Sequence, residues 1–170
     1  MEDILTAHPA TPSRADQIAA LEALLRVQQS AHADDPSIAD ARLGALAYVA
    51  IRTATFDAKG LPNVKDVAEA MDLTRGGASR VLSNLAPHGR GRAEERVRAK
   101  LEGGSGLGLV ISNPDPRDRR AEAFTLTVRG QERVGGLLSA FTGANIKRFV
   151  TLNYDEWLRR FLEHNAESSE

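Results

Sequence analysis

Three arginines, Arg117, Arg119 and Arg120, fall within four consecutive residues of the stretch "NPDPRDRRAEAFTLT", Asn113 to Thr127. A guanidinium stays charged at physiological pH and offers a planar fork of donors to a carboxylate or phosphate. Two prolines stiffen the chain around these cations and an alternating stretch follows, so they are expected on the tip of a hairpin. Such a tip is either a solvated turn or a device for meeting a polyanion. A second polar set precedes it: Thr74, Arg75, Gly76, Gly77, Ser79, Arg80, Ser83 and Asn84. Their small, cationic and hydroxyl side chains suit contact with phosphate oxygens and base edges, with Arg80 the best guanine candidate.

Charge distribution agrees with that chemistry. The chain carries 22 Lys/Arg and 23 Asp/Glu, a formal net charge of -1. From Arg75 to Arg133 there are 12 Lys/Arg against 7 Asp/Glu, leaving 10 against 16 elsewhere. A basic middle between acidic ends is the footprint of a polyanion-facing surface, whereas ordinary charge scatter is the bland reading. Evidence for an enzyme is thin. His8, His32, His88 and His164 lie in different segments, and no H-E-x-x-H, G-x-S-x-G or Walker sequence occurs. "GGSGLGL" fails G-x-G-x-x-G and enters a strand instead of leaving one. The absence of cysteine removes disulfides and thiolate metal sites. Neither catalysis, metal nor cofactor is expected.

The elements that must position these residues follow from periodicity. At 170 residues, with 42% hydrophobic and 26% charged residues, the chain reads as one globular domain. No apolar run is long enough for a membrane span and the N-terminus lacks a signal core, so a cytoplasmic location and no membrane partner are expected. Residues 13–58 read as N-terminal helices. Ser13 caps the first, which carries Ile18, Leu21, Leu24 and Leu25. Pro36 sits near the start of the second, whose stripe runs Ile38, Leu43, Leu46, Ala47, Ala50 and Ile51, and Lys59–Pro62 ends it. In 63–86, Asn63 and Asp66 bracket a helix start, "DLT" is a short turn, and Ala78, Val81, Leu82 and Leu85 face inward on a second helix. That is the sequence form of a helix-turn-helix, with Gly76, Ser79, Arg80, Ser83 and Asn84 outward. The stretch 87–106 is an inserted segment best read as solvated surface, and 107–127 a β-hairpin. Thr127 caps a helix weakened by Gly135 and Gly136, and the last segment gathers Ile146, Phe149 and Val150, then Tyr154, Trp157, Leu158, Phe161 and Leu162. These make up 128–165, read as C-terminal helices. The fold class is mainly α with a small β-hairpin wing: a winged helix-turn-helix flanked by helices.

The residues "VAEAMDLTRGGASRVLSNL" and "GLVISNPDPRDRRAEAFTLTVRGQE" resemble the helix-turn-helix and wing of the MarR (multiple antibiotic resistance regulator) family, including Asp118-x-Arg120 and Leu126-Thr127-x-x-Gly130. The resemblance covers Val64–Leu85 and Gly108–Glu132. It implies a sequence-specific transcriptional regulator, a dimeric repressor whose recognition helix enters the major groove and whose wing enters the minor groove of a pseudo-palindromic operator. Asp118 by itself is a poor partner for DNA. It is expected to pair with a neighbouring arginine and shape the wing, with Arg120 at the groove. The resemblance also implies dimerisation through the terminal helices, at Leu21, Leu25, Tyr154, Trp157, Leu158, Phe161 and Leu162. Its C-terminal part has an independent motive, because that aromatic face is too apolar for a lone surface helix. Burial of the face against the chain's own first helix is the competing reading. Release of DNA by a small aromatic ligand, which the sequence does not identify, is a further implication. The alternatives are a winged-helix protein-interaction module and a non-specific nucleic-acid binder.

Overall fold

The computed structural model describes residues 11–34, 40–87 and 106–168, without the side chains of 30–34 and Arg119. Among them are α1 (Arg14–Asp34), α2 (Ala41–Thr53), α3 (Val64–Ala70), α4 (Arg75–Leu85), β1 (Val110–Asp115), β2 (Asp118–Leu126), α5 (Val128–Thr142) and α6 (Tyr154–Glu167). The expectations for Pro36 and Ile38, and for 88–105 of the insertion, lie outside the described residues. No described helix is long and apolar enough to cross a membrane.

The helix starts follow local chemistry. Ser13 and Asp16 exchange hydrogen bonds at the head of α1. Asn63 caps α3 with a full capping box, its Oδ1 accepting from Lys65 and Asp66 while Asp66 accepts from the Asn63 N–H. The turn out of α3 is closed by Asp72 in the left-handed region at φ 52°, with the Leu73 N–H donating to the Ala68 carbonyl at 2.8 Å. This closure reverses the chain within a few residues and sets α4 across α3. Thr74 and Thr127 cap α4 and α5, accepting from Gly77 and Gly130.

One core joins α1, α2, α3, α4, α5 and the hairpin, centred on Leu21, Val49, Val67, Leu82, Leu85, Val110, Val134 and Phe149. A smaller cluster, Leu61, Ala123, Leu152 and Trp157 with Phe56, Tyr154, Leu158 and Phe161 around it, seats α6 behind the hairpin. Two expectations are corrected here. Leu21 and Trp157 are each 1% exposed, so neither is available to a second chain. Trp157 is covered by Phe56 and Phe161, with ring centroids at 6.1 and 4.9 Å, not by α1. The C-terminal region is not continuous helix either. The segment 145–153 is irregular and carries Ile146 and Phe149 into the main core, leaving Val150 exposed. Gly135 permits this route, since a Cβ there would stand 2.8 Å from the Arg148 nitrogen. The second helix stops at Thr53, earlier than Lys59, and the loop that follows delivers Phe56 and Leu61 to the smaller cluster.

The hairpin is longer than its pattern suggests. β1 and β2 pair antiparallel from Val110↔Leu126 to Asp115↔Asp118, with an irregularity between Pro114 and Asp115. The expected Pro/Asp/Arg loop is therefore mostly strand, with Pro116 and Arg117 as its turn. The Phe124 N–H donates to the Pro62 carbonyl at 2.8 Å, adding the chain ahead of α3 to the outer edge of β2. The two ends of the insertion lie side by side. Gly106 packs against the Ala86 carbonyl, and the N–H groups of Leu107 and Leu109 donate to the carbonyls of Asn84 and Leu85 at 2.9 and 2.7 Å. The hairpin thus starts directly from the end of α4, whatever the length of chain between.

Candidate nucleic-acid interface

Sequestering Ala78, Leu82 and Leu85 in the core turns the opposite arc of α4 outward. Arg75, Gly76, Arg80 and Asn84 are exposed, and Ser79 and Ser83 half-buried. Ser79, Arg80, Ser83 and Asn84 line one open groove of about 460 Å³. At the head of the helix the Thr74 hydroxyl accepts the Gly77 N–H at 3.0 Å. A Cβ on Gly77 would approach that hydroxyl at 3.3 Å, whereas one on Gly76 would meet nothing closer than 4.0 Å. Packing among the described residues therefore gives no reason for glycine at 76.

Arg75 and Arg120, far apart in sequence, are brought to one cleft of about 310 Å³, lined also by Asn63, Val64, Lys65, Asp118, Ala121 and Glu122. Its cations, Lys65, Arg75 and Arg120, come from α3, α4 and β2, and the carboxylates of Asp118 and Glu122 stand between them. Lys65 contributes to this cleft although no motif in the sequence singles it out. Its exposed position on the first turn of α3 is the signal that could have found it.

Among the described residues Asp118 makes no ion pair with an arginine. Its Oδ1 instead accepts the backbone N–H of Arg120 at 2.9 Å, so it shapes the strand entry through the main chain. The ion pair at the turn belongs to Asp115 and Arg117. Arg117 Nη2 lies 2.6 Å from Asp115 Oδ2 and Nε lies 2.9 Å from Oδ1, a bidentate fork. The same guanidinium donates to the carbonyls of Lys59 and Leu61, the latter at 3.0 Å. The expectation of Arg117 as a phosphate contact is corrected here, because its donors point into the protein. The Asp115 carboxylate is 2% exposed. Sequence reasoning missed Asp115, which only its spacing from Arg117 across Pro116 hints at.

Burial alone would raise the Asp115 carboxyl, but the hydrogen bonds and charge of Arg117 outweigh it and hold the group below its ordinary value. The sign follows directly. A carboxyl depressed in the folded state contributes stability that is present above its unfolded value near 4 and lost as pH falls through the folded one. Urea titrations between pH 7 and 3 should show Asp115→Asn less stable than wild type at neutral pH, with the gap closing below about pH 4. A gap independent of pH would separate Asp115 from the acid response.

Among the described residues no group of three or more His, Asp or Glu could hold a metal ion. Of the residues expected to dimerise, Leu162 is 59% exposed, while Leu25, Tyr154, Leu158 and Phe161 are half-buried. The Tyr154 hydroxyl donates to the Pro114 carbonyl at 2.9 Å, joining α6 to the hairpin.

Two helices with a tight turn, followed directly by an antiparallel hairpin that shares their core, define the architecture. The fold is a winged helix-turn-helix. No family model and no curated protein matches the chain. A solved structure that does match is the S. aureus MepR-DNA complex, at 18% identity and a TM-score of 0.42, over 93% of this chain and 100% of that one.

Proposed function

We propose that this protein is a DNA-binding transcription regulator, a dimeric repressor that reads a pseudo-palindromic operator and has no enzymatic activity. The observation that carries the reading is the convergence of the first turns of α3 and α4 and the turn-proximal part of β2 on one cleft, with Lys65, Arg75 and Arg120 on its walls. Duplex DNA carries one phosphate charge per roughly 1.7 Å of axis, and cations from three elements on one surface gain by displacing its counterions. Arg80 and Ser79 would reach base edges in the major groove, and the wing would follow the backbone towards the minor groove. Electrophoretic and fluorescence titrations against random and selected duplexes test this directly.

Gly76 supports close approach of the helix to a phosphate, because only an outside partner would use the missing side chain. Gly76→Ala is expected to raise stability by up to about 1 kcal/mol, the usual helix gain over glycine. It should lower DNA affinity several-fold. Chemical denaturation and a binding titration on the same preparation check both signs. An alanine variant that is more stable and binds equally well would remove the close approach.

Dimerisation through α1 and α6 is supported by the exposed apolar residues Val27, at 62%, and Leu162, at 59%. Sedimentation at micromolar concentration is expected to show a dimer, and Leu162→Glu to shift it towards monomer. A wild-type monomer would leave a single lobe, with no reason for a two-fold operator. A small aromatic ligand that releases DNA belongs to the same reading.

A further inference from the structure

The tip of the wing is fastened to the body of the protein by an arginine that makes no outward contact. Arg117 forks onto Asp115 and reaches the carbonyls of Lys59 and Leu61 across the loop that leads into α3. Gly60 lies directly beneath the guanidinium, at φ 103°, where a Cβ would both collide with it and strain the backbone. Asp115 is itself buried, its side chain 2% exposed. On the next carbonyl back, Tyr154 holds Pro114 from α6. One side chain therefore ties the wing turn to the segment that leads into α3.

We propose that Arg117 is a positioning residue for DNA binding. It fixes the wing turn against the α2–α3 loop so that Arg120 is held beside Lys65 and Arg75, and it contributes no phosphate contact of its own. This rests on the DNA-binding reading. A contact and a positioner have different signatures. Removing a phosphate contact lowers the log–log salt slope by about 0.9. Loosening a positioner lowers affinity by a similar factor at every salt concentration, because the freed loop must be ordered on binding.

The experiment measures affinity from low to moderate salt for wild type, Arg117→Gln, Arg117→Lys and Asp115→Asn, with amide exchange across 118–122 on the same proteins without DNA. Each variant is measured where circular dichroism shows it folded. All three are expected to bind about tenfold more weakly, the ordering cost of a released loop, with the wild-type slope retained and faster exchange in the wing. Lysine keeps the charge but cannot span carboxylate and carbonyls as the planar fork does. Asp115→Asn leaves the chain more positive, so a contact role would make it bind as well as wild type or better. A slope reduced by about 0.9 per lobe in Arg117→Gln, or undiminished binding by Arg117→Lys or Asp115→Asn, would overturn the proposal. If wild type bound no duplex, the functional reading would fail first. Unchanged wing exchange in the variants would separately dismiss Arg117 as the fastener.

Discussion

Replacing Arg119 and Arg120 together with alanine is expected to weaken binding to every duplex and to flatten its salt dependence. Arg120 is exposed on the wall of the cleft shared with Arg75 and Lys65. Its backbone is held by Asp118, so the side chain projects from a fixed point. Removing one cation–phosphate pair should take about 0.9 from the log–log slope, so a dimer deprived of two per lobe would show a slope smaller by up to about 3.6. Each such pair also narrows the affinity gap between variant and wild type about threefold over a fourfold rise in salt. Sequence preference should change little, because phosphate contacts set register without reading bases. Filter binding at four or more salt concentrations provides the slope. If slope and affinity stay at wild-type values in a folded variant, the wing tip is only a turn.

Arg80→Ala is expected to act in the opposite manner, relaxing preference at one base pair per half-site while non-specific binding falls much less. Arg80 stands exposed on the outward arc of α4, beside Ser79, Ser83 and Asn84, behind an inward face of Ala78, Leu82 and Leu85. A bidentate arginine–guanine contact discriminates by about 1–3 kcal/mol, or roughly 5- to 150-fold. Selection of bound duplexes from a random pool, with wild type and variant side by side, reads the effect position by position. An enriched pseudo-palindrome from wild type would also reveal the operator. Enrichment of no sequence by wild type would instead favour a non-specific nucleic-acid binder or a winged helix that docks proteins.

Much of the fold was legible because its determinants are local. The Asn63/Asp66 capping box, the Thr127 cap and the inward stripe of α4 each depend on residues three or four apart, and those spacings are visible in the chain. The alternation of Ala121–Thr127 likewise marked the wing, and the stripe of α4 the outward placement of Arg80. Tertiary structure decided the partners. Nothing within a few residues of Arg117 shows that the carbonyls of Lys59 and Leu61 will arrive beneath it, because only the folding of the hairpin over the loop brings them there. The aromatic face of α6 raised the same difficulty. Periodicity marked Trp157 as apolar, but a stripe cannot say whether a second chain or its own chain covers it. Phe56 and Leu61 could not be assigned to that task until the second helix stopped at Thr53 and its loop carried them there. The irregular path of 145–153 was equally hidden, since it depends on the room left beside Gly135 in another element. Local spacing determined which side chains turn inward or outward; the return of distant backbone onto them determined which cation faces solvent and which one fastens the wing.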